Sequence, residues 1–192
     1  MLEQGIDSIT AHYCPLSEES RADFRDCLRV EDVRKGEQLV KEGQYADKLY
    51  YILNGCAKAF YVKDGKTITD WFAFENEFIC AIRSYFLDVP SPHYIEVLED
   101  ATLLVLTRQD MIWLCDKHHD FERLGRISTT KTMLQLQQRV VSMQFESARQ
   151  RYLNLVALYP TIELRVPLGD VASFLGITQE TLSRIRAGNV RI

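Results

Sequence analysis

Apolar residues recur at helical spacing in two short runs near the C-terminal end of the sequence. Gly176 and Ile177 separate the two runs. Two short helices that cross at a steep angle need a tight turn and apolar faces that meet, and this pattern supplies both. The sequence therefore predicts a helix-turn-helix. Its inward positions are Val171, Ala172, Leu175, Leu182 and Ile185.

The second predicted helix begins near Gln179. Thr178 is a suitable N-cap, and Glu180 in the first turn suits the positive end of the helix dipole. The outward side chains are of types that read base edges or hold phosphates in DNA, which predicts a recognition helix. An ordinary helical hairpin with a solvated polar face is the alternative. The predicted DNA-binding residues are Gln179, Glu180 and Arg184 for base edges, Thr178, Ser183 and Arg186 for phosphates, and Thr181 beside them.

From Val33 onward, short apolar runs alternate with glycines and turns. The runs are rich in β-branched and aromatic residues, and Asp64-Gly65 suits a hairpin turn. Strands this short, joined by tight turns, predict an antiparallel roll or barrel. Before them, residues 17–29 carry apolar side chains at roughly helical spacing, which predicts a small N-terminal helix capped by Ser17. The predicted strands include residues 56–62, 67–74, 94–98 and 101–107.

Composition places these elements in a globular protein. The chain has 192 residues, of which 46% are hydrophobic, enough for one large domain and one small one. No apolar run is long enough to cross a bilayer, and residues 1–7 lack the basic and apolar segments of a signal peptide. We therefore expect a cytoplasmic protein with no membrane partner.

The net charge of -4 argues at first against a nucleic-acid partner, but the charge is unevenly distributed. Residues 1–138 contain 16 Lys and Arg against 23 Asp and Glu, a balance of -7. Residues 139–192 contain 7 Arg against 4 acidic residues, a balance of +3. The predicted DNA-binding end is therefore mildly basic.

The cysteines do not indicate a disulfide framework or a metal site. There are five, widely spaced and without a C-x-x-C pair, so reduced structural thiols are expected. An iron-sulfur cluster needs about four cysteines close together, and only two lie near the N-terminus. His118 and His119 are adjacent, so on a helix they point about 100 degrees apart and cannot share one haem iron. The cysteines are Cys14, Cys27, Cys56, Cys80 and Cys115.

The order of motifs resembles that of a known family. The segments K-G-E-x-L, G, L-Y-Y-I-L-N-G and F-E-N-E-F are similar to the cyclic-nucleotide-binding β-roll. A roll of this kind joined to a C-terminal helix-turn-helix resembles the Crp/Fnr family of bacterial transcription regulators, over about residues 10–186. The resemblance implies a homodimer that binds double-stranded DNA, with RNA polymerase as a further partner.

The resemblance also implies the fold class, α+β, and three domains. An N-terminal antiparallel β-roll, double-stranded β-helix or jelly-roll-like, forms an effector domain over residues 1–118. A long dimerisation helix covers residues 119–144. A small helical helix-turn-helix domain covers residues 145–192. Only six residues follow Arg186, so we expect the usual two-stranded wing to be reduced or absent. Its phosphate contacts are then supplied by the dimer or by Arg149 and Arg151, or DNA binding is weaker.

Apolar residues of the long helix form two neighbouring stripes. One repeats with steps of three and four residues, as in a dimer seam, and the other recurs every seven residues. One stripe can face the chain's own roll and the other a partner helix, which predicts a two-fold dimer and a roughly palindromic DNA site. A helix buried wholly inside a monomer is the alternative. The seam is Met133, Leu136, Val140 and Met143, and the second stripe is Ile127, Leu134 and Val141.

The predicted effector pocket departs from the family pattern. The family uses a glycine-glutamate pair that opens a short helix, and an arginine followed by serine or threonine that pairs with the cyclic phosphate. Glu77 is placed at the glutamate position, but Asn76 stands for the glycine, and the arginine-serine pair falls near Pro92-His93. Without that guanidinium we expect no tight binding of cyclic AMP or GMP. The candidate pocket residues are Asn76, Glu77, Phe78, Ile79, Cys80, Arg83, Pro92 and His93.

Three alternatives to this reading remain. A cyclic nucleotide could still be held by Glu77 with Arg83 or His93 as the phosphate partner. The protein could be a protein-binding module that has lost DNA binding. It could also be an enzyme, because β-rolls house cupin-type metal sites, but no H-x-H pattern, nucleophile elbow or phosphate-binding loop occurs, so no activity and no metal are expected.

Overall fold

The computed structural model describes residues 1–188 and is built around a β-roll of two four-stranded sheets. All strand pairs are antiparallel, and the orders are β1-β8-β3-β6 and β2-β7-β4-β5. This confirms the predicted roll. The strands are β1 (Arg29–Val33), β2 (Gln38–Val40), β3 (Lys48–Asn54), β4 (Ala57–Lys63), β5 (Lys66–Ala73), β6 (Phe78–Cys80), β7 (Tyr94–Val97) and β8 (Ala101–Thr107).

Alternation along the strands divides the apolar residues between two layers. On β3 and β8, Ile52 and Leu103 face the interior between the two sheets. Tyr51 and Leu104, one position away on the same strands, face the helices that cover the first sheet. This is the period of two that a strand imposes on its side chains. The Asp64-Gly65 turn predicted between β4 and β5 is present, with both residues at positive φ.

Helices cover the outer face of the first sheet and form the C-terminal part of the structure. The predicted N-terminal helix is confirmed as α2, whose N-cap Ser17 accepts a hydrogen bond from the Ser20 amide. The helices are α1 (Leu2–His12), α2 (Glu18–Cys27), α3 (Ile82–Leu87), α4 (Arg108–Lys117), α5 (His119–Phe145), α6 (Ala148–Leu158), α7 (Ile162–Arg165), α8 (Leu168–Phe174) and α9 (Gln179–Arg186).

Helix α1 was not predicted from the sequence. Its Gly5 lowers intrinsic helix propensity, but the position is buried against the sheet. A Cβ atom at Gly5 would lie 2.4 Å from Cδ1 of Leu104 and 2.9 Å from Cδ2 of Leu53. The glycine therefore permits a close approach of helix to sheet that a local pattern does not reveal.

Helix α5 has 27 residues and begins at the residue where the dimerisation helix was predicted. Its junction with α4 is held by His118, whose Nε2 lies 2.6 Å from Oδ2 of Asp23. The imidazole is buried at the junction of the two helices. No helix within residues 1–188 combines the length and the hydropathy needed to cross a membrane. The division into three domains stays a prediction.

The predicted reduction of the wing concerns the chain after α9. Helix α9 ends at Arg186, and the description of the structure ends two residues later. Residues 189–192 lie outside the described residues. The wing expectation therefore stays a prediction.

Candidate functional site

Helices α8 and α9 form the predicted helix-turn-helix. Gly176, in the turn, has φ +69, and the Ile177 amide donates to the Ala172 carbonyl at 3.0 Å. A Cβ atom at position 176 would lie 2.9 Å from Cε of Met143, so glycine allows both the left-handed turn and the close contact with α5. The five predicted inward positions are all buried: Val171, Ala172, Leu175, Leu182 and Ile185.

The N-terminus of α9 is capped as the sequence predicted. Thr178 has an extended backbone, and its Oγ1 accepts a hydrogen bond from the Thr181 amide at 3.1 Å. This side chain satisfies one of the amides that a helix leaves unpaired in its first turn. Helix α9 consequently starts at Gln179 and presents its polar face away from the domain. The predicted DNA-binding residues are exposed except for Thr181, which is half-buried.

Two arginines on α9 already have acidic neighbours. Arg184 pairs with Glu180 one turn earlier, and both side chains are mostly exposed. An exposed pair of this kind adds little stability, so Arg184 can exchange its partner readily. Nε of Arg186 lies 2.8 Å from Oε1 of Glu163, which also accepts a hydrogen bond from the Tyr152 hydroxyl. Arg186 is therefore held toward α6 and α7.

Arg151 is engaged by main-chain carbonyls. Its Nε and Nη2 donate to the Leu175 carbonyl at 3.2 and 3.1 Å, and its Nη1 donates to the Glu146 carbonyl at 2.7 Å. The guanidinium thus joins the helix-turn-helix to the connection between α5 and α6. That Arg149 or Arg151 supplies phosphate contacts in place of a wing stays a prediction. Arg149 is exposed, and Arg151 would have to release these carbonyls to reach a phosphate.

The helix-turn-helix packs directly against the outer face of the second sheet. Strand β5 is the edge of that sheet, and Ser173 of α8 covers part of its edge. Oγ of Ser173 accepts a hydrogen bond from the Thr69 amide at 2.9 Å and donates to the Thr67 carbonyl at 3.2 Å. Main-chain groups at the open edge of β5 thereby gain hydrogen-bond partners from the C-terminal helices. The packing makes α8 and the roll one continuous apolar core.

Arg165 forms a second connection between the C-terminal helices and the roll. Its Nη1 and Nη2 donate to the two carboxylate oxygens of Glu75 at 2.9 and 2.6 Å, and its Nε donates to Oε1 of Glu99 at 2.9 Å. Burial raises the pKa of Glu75, but hydrogen bonds from Arg165 and two main-chain amides outweigh it, so the pKa is lowered overall. The guanidinium also lies over the Phe74 ring. A bidentate pair of this kind fixes the orientation of the guanidinium relative to the carboxylate.

Glu77 does not open a short helix, and the placement inferred from the sequence is corrected here. Helix α3 begins at Ile82 with Ala81 at its N-cap, and all of strand β6 separates it from Glu77. The carboxylate accepts hydrogen bonds from the Tyr159 hydroxyl and the Phe74 amide, both at 2.9 Å. Burial raises the pKa of Glu77 above its usual value. Its carboxylate contacts the residue that follows α6.

The other candidate pocket residues do not converge on one point. Asn76, at φ +69, lies in the turn before β6 and accepts a hydrogen bond from Ser8 of α1 at 2.5 Å. Ile79 is buried in the interior of the roll. Phe78 packs on Tyr13 and Tyr51 on the opposite side of the strand.

His93 and Arg83 occupy different environments. His93 is 4% exposed, and within the described residues neither ring nitrogen has a hydrogen-bond partner. Burial lowers the pKa of His93, so the imidazole is neutral near pH 7. The ring meets Tyr61 edge-on at 5.3 Å between centroids. Arg83 is exposed on α3, Pro92 is half-buried, and burial raises the pKa of the Cys80 thiol to about 12.

The seam of α5 is exposed on the single chain. Its four residues range from 38% to 59% exposed. The alternative of a helix buried wholly inside a monomer is therefore wrong. In the second stripe, Ile127 and Val141 are half-buried, but Leu134 is 56% exposed beside a cavity and does not pack on the roll. Within residues 1–188, no group of three or more potential metal ligands comes together.

Comparison with protein families and solved structures agrees with this architecture. Residues 30–118 match the family model of the cyclic nucleotide-binding domain. FixK2 from Bradyrhizobium japonicum superposes with a TM-score of 0.72 at 15% identity, covering 84% of this chain and 83% of that one. The catabolite activator protein of Thermus thermophilus gives 0.58 at 18% identity, covering 96% and 90%.

A regulator from Eubacterium rectale assigned to the Crp/Fnr family gives a TM-score of 0.68 at 15% identity, covering 90% of this chain and 83% of that one. No curated protein matches the chain. The chain has the Crp/Fnr-type fold, with a segment similar to the cyclic nucleotide-binding domain at residues 30–118, and the resemblance drawn from the sequence is confirmed at the level of the fold.

Proposed function

We propose that this protein is a DNA-binding transcription regulator of the Crp/Fnr type that binds a roughly palindromic site as a homodimer. The observation that carries the proposal is the polar face of α9, which is exposed on a capped helix anchored by Leu182 and Ile185. A helix presented in this way is the element that enters the major groove in helix-turn-helix proteins. Such a regulator acts in the cytoplasm, where its DNA is found.

The proposed contacts follow from position on α9. Gln179, Glu180 and Arg184 project from the first two turns and read base edges. Thr178 and Ser183 flank them and face the phosphates. Arg186 reaches a phosphate only by leaving Glu163, so its contribution is smaller than its charge alone implies.

The proposed dimer forms through the exposed seam of α5. Met133, Leu136 and Val140 lie on one side of the helix and leave apolar surface in water on the single chain. Pairing with the same surface of a second chain buries it and generates two-fold symmetry. The two α9 helices are then expected at half-sites one turn of DNA apart. RNA polymerase is a further partner that the same function requires when the protein activates.

We infer that cyclic AMP and cyclic GMP are not tight effectors. In support, Glu77 is engaged by Tyr159, the buried His93 is neutral, and Arg83 lies at the surface. A cyclic phosphate in the roll would therefore lack a buried cation to pair with. In a calorimetric titration with each nucleotide we expect no heat, and micromolar binding of either nucleotide would refute this inference.

The DNA proposal is tested by selecting sites from a random-sequence duplex library with the full chain at low salt. We expect enrichment of a two-fold symmetric site. The same selection with Arg184→Ala is expected to give a more degenerate site at the same half-site spacing. Failure of the unmodified chain to enrich any sequence would overturn the proposal and favour a protein-binding module.

A further inference from the structure

A cavity of about 620 Å³ lies where α5, the outer face of β5 and the helices α6 and α8 meet. This volume falls within the roughly 300 to 1,000 Å³ of small-molecule sites in proteins. The cavity lies beside the edge strand β5, where Phe72 packs with the C-terminal helices and Trp71 also packs against the interior cluster of the roll. Its apolar walls are formed by Trp71, Phe72, Leu134, Leu155, Leu158 and Phe174.

The charged groups that line the cavity are all positive. Two arginines, Arg139 and Arg151, contribute to the wall, and no aspartate or glutamate of the described residues lines it. Arg139 lies over the Phe174 ring at 4.4 Å and pairs with Asp70 at 3.2 Å. Arg151 donates to main-chain carbonyls and forms no ion pair within residues 1–188. The cavity therefore combines apolar walls and neutral polar side chains with one cation, Arg151, that has no ion pair among the described residues, and the nearby Glu146 carboxylate is already held by Ser142 and Asn154.

The cavity stays open in the proposed dimer. Gln138, on its wall, and Val140, in the seam, are two positions apart on α5. At about 100 degrees per residue they point in nearly opposite directions. A partner helix seated on the Val140 side therefore leaves the Gln138 side of the cavity open and borders the cavity only at Met143, which belongs to both the seam and the cavity wall.

We propose that this cavity binds an apolar carboxylic acid. The rings of Trp71, Phe72 and Phe174 enclose the apolar body of the ligand, and the carboxylate pairs with Arg151. Aromatic walls favour a flat or extended hydrocarbon body, and a guanidinium in apolar surroundings strongly favours an anionic head group. The positive charge also disfavours an amine in the same place.

A ligand in this position contacts, through Arg151, both the end of α5 and the helix-turn-helix. Arg151 already bridges Glu146, at the end of α5, and Leu175, in the helix-turn-helix. A carboxylate on Arg151 competes with those carbonyls for its donors, and so changes the placement of α8 and α9 relative to α5. This consequence rests on the proposed function, whereas the binding itself does not.

The first test compares two matched probes by isothermal titration calorimetry on the full chain without DNA. Naphthalene-2-carboxylate is expected to bind with one molecule per chain. Naphthalene-2-carboxamide, equal in shape but uncharged, is expected to bind at least about tenfold more weakly. No heat with the carboxylate would overturn the proposal, and equal affinities would overturn the role of the arginine.

The second test locates the site with two tryptophan substitutions on α5. Gln138→Trp places a large ring at the cavity wall, whereas Thr130→Trp places one at an exposed position of the same helix outside the cavity. We expect the first to weaken naphthalene-2-carboxylate binding by about tenfold or more, and the second by less than about twofold. Equal binding by both variants, or equal loss in both, would place the site elsewhere and overturn the proposal.

Failure of this inference is distinguishable from failure of the proposed function. Both variants keep the polar face of α9, so site selection from the duplex library reports on DNA binding separately. Enrichment of a DNA site without binding of naphthalene-2-carboxylate refutes the ligand proposal alone. Ligand binding at the cavity without enrichment refutes the DNA proposal and leaves the ligand site in place.

Discussion

Nζ of Lys58 lies 2.8 Å from Oδ2 of Asp170. The side chains are only 9% and 12% exposed, and they join β4 of the roll to α8 of the helix-turn-helix. Glu96 of β7 is 3.7 Å from the same ammonium group. A buried pair of this kind adds little to folding stability compared with two apolar residues in the same place. Loss of one partner is destabilising, because the remaining charge stays buried and is poorly compensated.

Asp170→Asn is therefore expected to destabilise the protein. Loss of one member of a fully buried pair costs about 3 to 5 kcal/mol, and since Glu96 remains nearby we expect about 2 kcal/mol. Urea unfolding followed by far-UV circular dichroism measures the change. Asp116→Asn is the control, because Asp116 is exposed on α4 and forms no ion pair within the described residues. Equal midpoints for the two variants would contradict the prediction.

The Glu75–Arg165 pair predicts a loss of stability in acid. The pKa of Glu75 is lowered below its ordinary value of 4.5, so its contribution is present above that pH and is lost as the pH falls through the folded-state pKa. The unfolding free energy of the unmodified chain should exceed that of Glu75→Gln at neutral pH, and the gap should close on acidification. Urea titrations from about pH 7 to about pH 3 measure it. Glu42→Gln, at an exposed position, should show no such change.

Glu77 is expected to show the opposite dependence. Its pKa is raised by burial, so the stability linked to it is present below 4.5 and is lost as the pH rises through the folded-state pKa. Glutamine can still accept the hydrogen bond from Tyr159. Relative to Glu77→Gln, the unmodified chain should therefore become less stable as the pH rises, in the same urea titrations. A difference independent of pH would show that the carboxylate ionises normally.

Val140→Glu is expected to separate the proposed dimer. The substitution places two like charges in an apolar seam, which should raise the dissociation constant at least about hundredfold. Sedimentation equilibrium measures the change. Thr130→Glu introduces the same charge on an exposed part of α5 away from the seam, and should leave the dimer intact. If the unmodified chain sediments as a monomer, the proposed dimer is wrong.

The two arginines near the end of α9 should have different effects on DNA binding. Arg184→Ala removes a base contact, so it should cost about 1 to 3 kcal/mol on the preferred site and relax sequence preference. Arg186→Ala removes a phosphate contact, so it should weaken all sites alike and flatten the dependence on salt. Fluorescence anisotropy with selected and scrambled duplexes at several salt concentrations separates the two. Identical sequence preference and salt dependence for both variants would refute this assignment of a base contact to Arg184 and a phosphate contact to Arg186.

The helix-turn-helix could be predicted from the sequence because its determinants are local. The Thr178 cap bonds an amide three residues away, and Gly176 supplies a turn that other residues rarely adopt. The residues of the predicted effector pocket could not be placed in the same way. A three-residue strand, β6, intervenes between Glu77 and α3, and the hydroxyl that binds Glu77 belongs to Tyr159.

The amino-acid sequence by itself determined the roll, the long helix and the helix-turn-helix in that order, and the buried faces of α8 and α9, because caps, turns and hydrophobic periodicity act over a few residues. Only the tertiary structure decided what the polar side chains contact. It turned Arg151 toward the Leu175 carbonyl, bound Arg165 to Glu75, and left a cavity beside Leu134. These partners lie far apart in the chain, and packing of the C-terminal helices on the second sheet brings them together.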